Sequence, residues 1–316
     1  MARSTQNKMR SEPDRLTVNP MTVSIGAEIH GVDLTQTLSA NTVRLIREAL
    51  LQWKVIFFRN QHLNHGQHIE FARRFGEPTP AHAVFDSDVD ADYPEIYPVT
   101  KHRAALAARP SAMRVWTDWH TDVTAAVNPP YGSILRAVVV PPYGGDTMWT
   151  NMVAAYQGLS PAIQKFLSTL RAVHRFEEAE GGEGETADAY NAMVRKNPVM
   201  TEHPLVTVHP ETGEHALYTN PGFVKNIIGL TRAESDVLLD FLWEHCIRAD
   251  YTVRFRWEEG SIAFWDNRAT QHLAIRDVYQ TDFDREFYRV TLNGSIPVDV
   301  NGNPSTHLSG NPIHPV

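Results

Sequence analysis

The chain has 316 residues, of which 42% are hydrophobic and 21% charged, and its formal net charge at pH 7 is -8. This length is enough for one large domain or two small ones, each with a buried core. The negative charge argues against a nucleic-acid-binding protein, which usually carries a basic surface. No apolar run reaches the roughly 18 residues of a membrane span, so we expect no membrane partner.

The two ends of the chain are predicted to be tails. Residues 1–15 have no apolar core of the kind found in secretory signals, and we expect a disordered N-terminal tail there. Residues 301–316 are rich in Pro, Asn and Gly and predict a C-terminal tail. The single cysteine, Cys246, excludes an internal disulfide and a multi-cysteine metal site, and the helical pattern around it predicts a buried thiol. These features fit a protein of the reducing cytoplasm.

The first part of the chain predicts two helices and two β regions. Alternation over residues 16–34 indicates a strand or hairpin. A helix capped by Ser39 is indicated by apolar residues at helical spacing, namely Val43, Ile46, Leu50 and Trp53. The apolar run 55–58 predicts a buried strand. A second helix begins near Asn64, with Gln67 at the second position of a capping box.

The middle of the chain mixes loops and strands. Residues 78–113 have no clear period and predict a long loop, and long loops in compact domains are commonly functional. The stretches "WHTDVT" (119–124) and "SILRAVVV" (133–140) predict strands, and helices resume over 151–172 with a start signal at Ser160-Pro161. The acidic, glycine-rich run 177–190 predicts a lid or a solvated loop.

The last third predicts mostly β structure. Residues 205–219 predict a hairpin that turns at 210–213, and Thr231 with Glu234 forms a capping box that opens a helix. Three more strands follow, at 251–257, 261–267 and 286–294. No repeat or linker divides the chain. Many short strands with helices in two or three blocks predict a mainly β fold, an antiparallel core with flanking helices.

His120 and Asp122 are the first candidate functional residues. They lie two positions apart in a predicted strand, so both side chains should point to one face. Two histidines and one carboxylate can hold a first-row metal and leave positions open for substrate and oxygen. The best third ligand is His272, which follows a predicted strand and a polar turn. The pattern also fits a buried histidine satisfied by an acid. Three other histidines are interpreted as surface residues, namely His203, His209 and His215.

Arg285 and Arg289 are the second candidate pair. They are four residues apart on a predicted strand, so they share a face with Phe287 between them. Two guanidinium groups in a β core are costly unless they meet anions, and arginine suits bidentate recognition of carboxylate or sulfate-like groups. An exposed edge strand is the alternative. Val290 and Leu292 on the opposite face indicate burial and favour anion binding.

Four stretches together resemble the taurine dioxygenase (TauD/TfdA) family of Fe(II)- and 2-oxoglutarate-dependent dioxygenases. They are "WHTDVT…PP.G.ILRA…P..GGDT.W.N", "TEHPLV.VHPETGE…LYTN.GF", "WDNRATQH.A..D" and "YRVTL.G..PVDV". The resemblance covers residues 16–300 and implies one dioxygenase domain with a double-stranded β-helix (jelly-roll) fold. It implies Fe(II), 2-oxoglutarate and O2 as cofactor and co-substrates. Within the family, the chain is most similar to the alkylsulfatase branch.

The resemblance also implies a role for particular residues. The iron ligands would be His120, Asp122 and His272. Thr147 and Arg285 would hold the distal carboxylate of 2-oxoglutarate. The anionic group of the substrate would be bound by Arg289, the backbone N–H of Val123 and His82. The spacing of His82 after Phe75-Gly76 is shifted from the family pattern. Phe223 would be an aromatic residue of the substrate pocket. Trp116 stands where taurine-specific members carry a polar residue, which favours a more apolar substrate.

The implied activity is hydroxylation of a C–H bond next to the anionic group of a small organic substrate. An alkyl sulfate ester would be cleaved to aldehyde and sulfate. Alternative substrates are taurine or another sulfonate, or a phenoxyalkanoate. The alternative from a different class of function is a non-catalytic jelly-roll protein that binds a metal or ligand. A Ser or Cys hydrolase is disfavoured because no G-x-S-x-G elbow is present. We expect a homo-oligomer, a dimer or tetramer, with the loops 80–113 and 177–200 as lids.

Overall fold

The computed structural model describes residues 16–82, 91–101, 119–178 and 185–316. The predicted tail 1–15 and Trp116 lie outside these residues. The helices are α1 (Ala40–Trp53), α2 (His65–Arg73), α3 (Met152–Gln157), α4 (Pro161–Leu167), α5 (Glu185–Lys196) and α6 (Arg232–Cys246). The strands are β1 (Thr17–Pro20), β2 (Ala27–His30), β3 (Val55–Phe58), β4 (Tyr97–Lys101), β5 (Gly132–Val139), β6 (Thr147–Asn151), β7 (Arg171–Arg175), β8 (Met200–Pro204), β9 (Val206–Val208), β10 (His215–Leu217), β11 (Val224–Ile227), β12 (Thr252–Phe255), β13 (Ile262–Asp266), β14 (Thr270–Ala274), β15 (Arg285–Leu292) and β16 (Thr306–Ser309).

The strands form one large sheet and three smaller ones. The large sheet has seven strands in the order β1-β2-β3-β13-β5-β15-β4, and a three-stranded sheet has the order β12-β6-β14. A four-stranded sheet has the order β11-β7-β8-β16, and β9 pairs with β10. Pairing is antiparallel apart from β2 with β3. The predicted antiparallel core is therefore present.

The central strand β13 shows why the large sheet is apolar on both faces. Its side chains alternate between two buried layers, as the period of a strand requires. Ala263 and Trp265 pack inward with aromatic residues of the three-stranded sheet, including Trp149. Phe264 points outward, where helices α1 and α2 pack on the sheet. The inner layer lies between the two sheets, and the candidate site lies there as well.

The capping signals read from the sequence are confirmed. Ser39 and Ser160 accept backbone N–H groups at the starts of α1 and α4. Asn64 with Gln67, and Thr231 with Glu234, form complete capping boxes at α2 and α6. The predicted hairpin at 205–219 forms as β9 and β10, and Cys246 is buried.

Four predictions of irregular or helical structure were wrong. Residues 97–101, in the predicted loop, form the edge strand β4, which tolerates its proline because an edge needs fewer ladder donors. Residues 171–175 form β7, which begins within the last two residues of the helical region predicted over 151–172, and 185–196 form helix α5 within the predicted lid. Residues 306–309, in the predicted C-terminal tail, form β16 against β8.

Phe264 gives a test of the outer core. It is fully buried and its ring contacts Phe71 and Phe75. We expect Phe264→Ala to lower the free energy of unfolding by about 3–5 kcal/mol, because it removes the ring and leaves a cavity. Urea unfolding followed by tryptophan fluorescence measures this change. Phe166 on α4 is 44% exposed, and Phe166→Ala should change the free energy of unfolding by less than about 1 kcal/mol. Equal losses in the two variants would contradict this core assignment.

Candidate active site

His120 and His272 are joined by a backbone bridge between distant parts of the chain. The N–H of His120 donates to the carbonyl of His272 at 3.0 Å, and the N–H of His272 donates back at 2.7 Å. Residues directly opposite each other in an antiparallel pair point their side chains to one face. The two imidazole rings accordingly lie 4.2 Å apart between centroids. This bridge therefore places His272, from the last fifth of the chain, next to His120.

Asp122 reaches the histidines by a different route from the one predicted. Residue 120 forms an isolated bridge, and residues 122–125 form a turn rather than a strand. Val123 has φ of 52°, a left-handed conformation that is strongly disfavoured for a β-branched residue. The turn still directs the carboxylate toward the imidazoles. One donor atom from each of His120, Asp122 and His272 lies within 4.8 Å of the other two.

The electrostatics of this trio suit metal binding. Asp122 is 3% exposed. Burial would raise the pKa of its carboxyl, but Arg289 and the two histidines, with a hydrogen bond from Ser133, lower it overall, so the group is ionised. Burial and the neighbouring His120 lower the pKa of His272 to about 3 against the opposing effect of Asp122, so its imidazole is neutral. Metal ligands need a deprotonated carboxylate and neutral imidazoles.

The donor set also fits a particular class of metal. Two imidazole nitrogens and one carboxylate oxygen form the facial triad of non-haem Fe(II) oxygenases. The Nδ1 atom of His272 is buried and makes no hydrogen bond with the described part of the chain. Its ring is therefore not held as an ordinary, fully satisfied core histidine. The residues present fit an iron site.

One cavity of about 310 Å³ contains this trio. All nine residues singled out from the sequence line it, although they come from six separate segments. Its walls also include apolar side chains of both sheets. The lining residues are His82, Tyr97, Val99, His120, Asp122, Val123, Leu135, Thr147, Phe176, Phe223, Trp265, His272, Ala274, Arg285 and Arg289.

Thr147 and Arg285 lie on opposite sheets and face this cavity. Thr147 on β6 pairs with Ala274, which shares a face of β14 with His272. The hydroxyl oxygen of Thr147 accepts a hydrogen bond from the indole N–H of Trp257 at 3.0 Å, which leaves its proton to donate. Arg285 on β15 is 7% exposed, and its guanidinium lies 3.6 Å from the centroid of the Phe287 ring.

Arg285 is a buried cation that has no anionic partner among the described residues. No carboxylate of the described residues forms an ion pair with it, in contrast to Arg289, which pairs with Asp122 at 2.5 Å. Burial lowers the pKa of Arg285 to about 10, with the nearby Tyr279 acting in the opposite direction, so the group stays charged at neutral pH. A buried, unpaired charge is costly. Arg285 is therefore the strongest indication of an anionic ligand.

Arg289, the second arginine of β15, also faces this cavity. Register places it between Tyr97 of β4 and Leu135 of β5, and both of these residues line the cavity. Its Nε atom is buried and makes no hydrogen bond within the described chain, so donors remain beside the pair with Asp122. His82 lies nearby, and burial together with the charge of Arg289 lowers its pKa.

The Val123 amide is the remaining polar group here. Its N–H has no acceptor among the described residues, because the turn takes it out of any ladder. Phe223 and Phe176 form an edge-to-face pair with centroids 5.0 Å apart and supply an apolar wall. The cavity thus combines hydrogen-bond donors with aromatic surface.

Comparison with known proteins agrees with this geometry. Residues 17–291 match the model of the family described as taurine catabolism dioxygenase TauD, TfdA family. The chain belongs to this family. It is 41% identical over 296 residues to an alpha-ketoglutarate-dependent sulfate ester dioxygenase of Pseudomonas putida, covering 92% of this chain and 93% of that protein. It is 36% identical over 300 residues to an alkylsulfatase of Acinetobacter baylyi, covering 93% and 90%.

A solved structure supports the fold as well. It is described as a putative alpha-ketoglutarate-dependent taurine dioxygenase from Burkholderia xenovorans. It matches with a TM-score of 0.81 and 50% identity over 94% of this chain and 100% of that one. The predicted double-stranded β-helix and the TauD/TfdA resemblance are both confirmed. The protein is a 2-oxoglutarate-dependent dioxygenase, so 2-oxoglutarate and O2 are its co-substrates. No helix in the described part of the chain is long and apolar enough to span a membrane.

Sequence reasoning missed the residues that hold Asp122 from behind. The hydroxyl of Ser133 donates to Asp122 Oδ2 at 2.6 Å, and Asn267 Nδ2 donates to Ser133 at 2.9 Å. The indole of Trp265 donates to Asn267 Oδ1 at 2.9 Å. Such outer contacts orient metal ligands. The stretch "WDN" (265–267) lies at the end of a predicted strand, and nothing in its spacing indicates that Asn267 contacts Ser133.

The prediction that three further histidines lie at the surface was wrong for two of them. His203 and His209 are fully or almost fully buried, and His215 is partly buried. His209 Nε2 lies 3.0 Å from Asp266 Oδ2. Asp266 ends β13 and also pairs with Arg268. This buried group fixes the turn that leads into β14 and so to His272.

Asp266 gives a pH-dependent test. Burial would raise the pKa of its carboxyl, but Arg268 and His209 lower it overall. A lowered pKa contributes stability that is present above the unfolded value of about 3.9 and is lost as the pH falls through the folded value. We expect Asp266→Asn to lower the free energy of unfolding by about 1.5–3 kcal/mol at pH 7, because the charged hydrogen bonds to Arg268 and His209 are lost while Arg268 keeps its pair with Glu211. The loss should shrink below about pH 4, where the wild type itself weakens. Urea unfolding at pH 7 and pH 3.5 measures this, and a loss independent of pH would contradict the assignment.

Proposed function

We propose that the protein is an Fe(II)- and 2-oxoglutarate-dependent dioxygenase that hydroxylates an alkyl sulfate ester at the carbon bearing the ester oxygen. One observation carries the proposal. A buried arginine, Arg285, and a partly buried one, Arg289, lie four residues apart on one strand and line the same cavity as a His-Asp-His trio. Two cationic positions beside one metal site suit two anions, a keto-acid and an anionic substrate.

His120, Asp122 and His272 would hold Fe(II). When bound, the metal supplies the activation of O2 that couples decarboxylation of 2-oxoglutarate to hydroxylation of the substrate. The chain itself contributes the ionised Asp122 and the neutral His272. Ser133 holds the second carboxylate oxygen, and the first lies 3.9 Å from His272 Nε2 and also accepts from Arg289.

Arg285 and Thr147 would bind the distal carboxylate of 2-oxoglutarate. Arg285 brings a buried positive charge that lacks a partner in the described chain, and Thr147 has a hydroxyl proton free to donate. A carboxylate in this position converts a costly buried charge into a pair with charge-assisted hydrogen bonds. These two groups support a keto-acid site that does not use the proposed iron ligands.

Arg289, the Val123 amide and His82 would bind the anionic group of the substrate. The alkyl part would lie against the aromatic wall that includes Phe223. Holding the anion fixes the adjacent carbon relative to the metal, so Arg289 orients the substrate and is not an acid or base. For a sulfate ester, one oxygen atom of O2 becomes the hydroxyl oxygen on the carbon next to the ester oxygen, and the other becomes part of the new carboxylate of succinate. The resulting hemiacetal breaks down to an aldehyde and sulfate.

A sulfonate is the second candidate substrate. The structural relative from Burkholderia xenovorans carries the description taurine dioxygenase, and Arg289 would serve a sulfonate equally well. Two observations favour the ester. Two curated relatives act on sulfate esters by their descriptions, and the wall of Phe176, Phe223 and Trp265 suits an alkyl chain better than a charged ammonium group.

A chain-length series distinguishes these substrates. We expect succinate formation with alkyl sulfates, and kcat/KM should rise up to about four-fold per added methylene until the cavity is filled, since each buried methylene contributes about 0.8 kcal/mol. Taurine and phenoxyacetate should react far more slowly. Asp122→Ala is the negative control, because it removes a metal ligand. A higher kcat/KM for taurine than for hexyl sulfate would overturn the ester assignment, and no succinate with any substrate would favour the non-catalytic alternative.

The two arginines give a matched pair of variants. Arg285→Ala should raise the KM for 2-oxoglutarate by about ten-fold or more, because a charge-assisted pair contributes about 1.5–3 kcal/mol. Arg289→Ala should instead raise the KM for the ester and leave 2-oxoglutarate turnover partly uncoupled from product. Each variant is the control for the other in steady-state assays of succinate and aldehyde. Identical effects on both substrates would show that the cavity does not have two separate anion sites.

A further inference from the structure

Asn220 connects two walls of the cavity without lining it. It is almost fully buried in the segment between β10 and β11. Its Oδ1 accepts the backbone N–H of Phe223 at 2.9 Å. Because a backbone N–H can only donate, the side-chain amide has one orientation, and Nδ2 must be the group facing Thr124. Nδ2 donates to the Thr124 hydroxyl at 3.1 Å.

Thr124 follows the strained residue Val123 and is fully buried. Its hydroxyl also lies 3.0 Å from Nδ1 of His174. Its carbonyl accepts from His203 Nε2 at 2.9 Å. Burial lowers the pKa of His203 to about 3, although its bonds to backbone carbonyls oppose this. Thr124 is therefore held by neutral, directional hydrogen bonds.

Strand β8 anchors the rest of the turn. His203 also lies 3.2 Å from the carbonyl of Ala126, and the Thr201 hydroxyl donates to the carbonyl of Ala125 at 2.8 Å. A left-handed conformation at a β-branched residue persists only when its surroundings determine it. These contacts supply that constraint and fix where the Val123 amide points.

On its other side, Asn220 holds the aromatic wall. The Phe223 N–H bonds to Asn220, and the Phe223 carbonyl accepts from the N–H of Arg175. The backbone at Phe223 is thereby fixed while its ring packs edge-to-face on Phe176. Gly222 passes close to His120, since a Cβ on it would lie 3.1 Å from the histidine Cβ. The aromatic wall is thus held close to the metal trio.

We propose that Asn220 is a positioning residue that sets the distance between the anion-binding amide of Val123 and the alkyl-binding wall at Phe223. It acts through Thr124 on one side and through the Phe223 backbone on the other. Its effect concerns the alkyl sulfate and not 2-oxoglutarate, because Thr147 and Arg285 lie on β6 and β15 and not on the segment that contains Asn220. The inference rests on the proposed function and names the residue that fixes its substrate geometry.

Asn220→Ala is compared with Asn128→Ala in the full-length enzyme. Asn128 also makes side-chain hydrogen bonds, which are partly buried, to the backbone of Ile313 and to Asn293, but it does not line the cavity. We expect Asn220→Ala to raise the KM for hexyl sulfate about five-fold or more and to increase uncoupled succinate formation. The KM for 2-oxoglutarate should stay within about two-fold. Asn128→Ala should lower stability without changing either KM.

Thr124 tests the same connection from its other end, which matters if Asn220→Ala does not fold. Thr124→Val removes the hydroxyl at similar volume and should raise the KM for hexyl sulfate, whereas Thr124→Ser should retain the wild-type value. The Asn220→Ala and Thr124→Val changes share one hydrogen bond, so the double variant should show less than the product of the two single effects.

The outcomes separate the two proposals. If the wild type forms no aldehyde from hexyl sulfate, the proposed function is overturned together with the inference. If the wild type is active and Asn220→Ala behaves like Asn128→Ala, only the inference is overturned. A parallel rise in both KM values, or an effect of Thr124→Ser as large as that of Thr124→Val, would likewise show a general structural role. An unchanged calorimetric Kd for hexyl sulfate in anaerobic Asn220→Ala with Fe(II) and 2-oxoglutarate would overturn it as well.

Discussion

Two backbone hydrogen bonds between residues 120 and 272 hold the candidate site together. They pair one residue from the middle of the chain with one near its end, and an antiparallel pair leaves their imidazoles side by side. The register of β14 with β6 then places Thr147 on the same face as His272. The trio and part of the keto-acid site thus depend on one short ladder, which is fixed at its start by the buried turn at Asp266.

The two arginines of β15 differ in a way that fits their proposed roles. Arg289 pairs with Asp122 and contacts the Tyr97 ring, so its charge is compensated before any ligand binds. The guanidinium of Arg285 lies over the Phe287 ring, and no carboxylate of the described chain forms an ion pair with it. A binding site that must accept a keto-acid in every turnover gains from an uncompensated charge, because ligand binding relieves the cost of burial. A site that orients varied substrates gains more from a charge already held in place.

Sequence reasoning predicted those parts of the structure that local chemistry determines. Capping residues such as Ser39 and the apolar run 55–58 act within a few residues, and both predictions were correct. The four misassigned segments depend on partners elsewhere. β16 has little apolar content and forms because β8 offers it an edge, and β4 contains a proline that only an edge strand accepts. His203 and His209 were placed at the surface because they adjoin turns or the predicted hairpin, whereas the groups that they contact, Thr124 and Asp266, are far away in sequence. Spacing singled out the metal trio and the two arginines of β15, and the resemblance added Thr147, Val123, His82 and Phe223. Ser133 and Asn220 are apparent only from the contacts.

The wrong prediction at 119–124 is informative about the chemistry. Alternation in a strand would also have placed His120 and Asp122 on one face, so the metal trio alone does not require a turn. A strand, however, would engage its backbone N–H groups in a ladder. The turn leaves the N–H of Val123 without an acceptor in the described chain, directly after the carboxylate that faces the metal site. The strained φ of Val123 is thus the structural cost of placing the proposed anion-binding amide beside a proposed metal ligand, and the buried contacts of Thr124 maintain it.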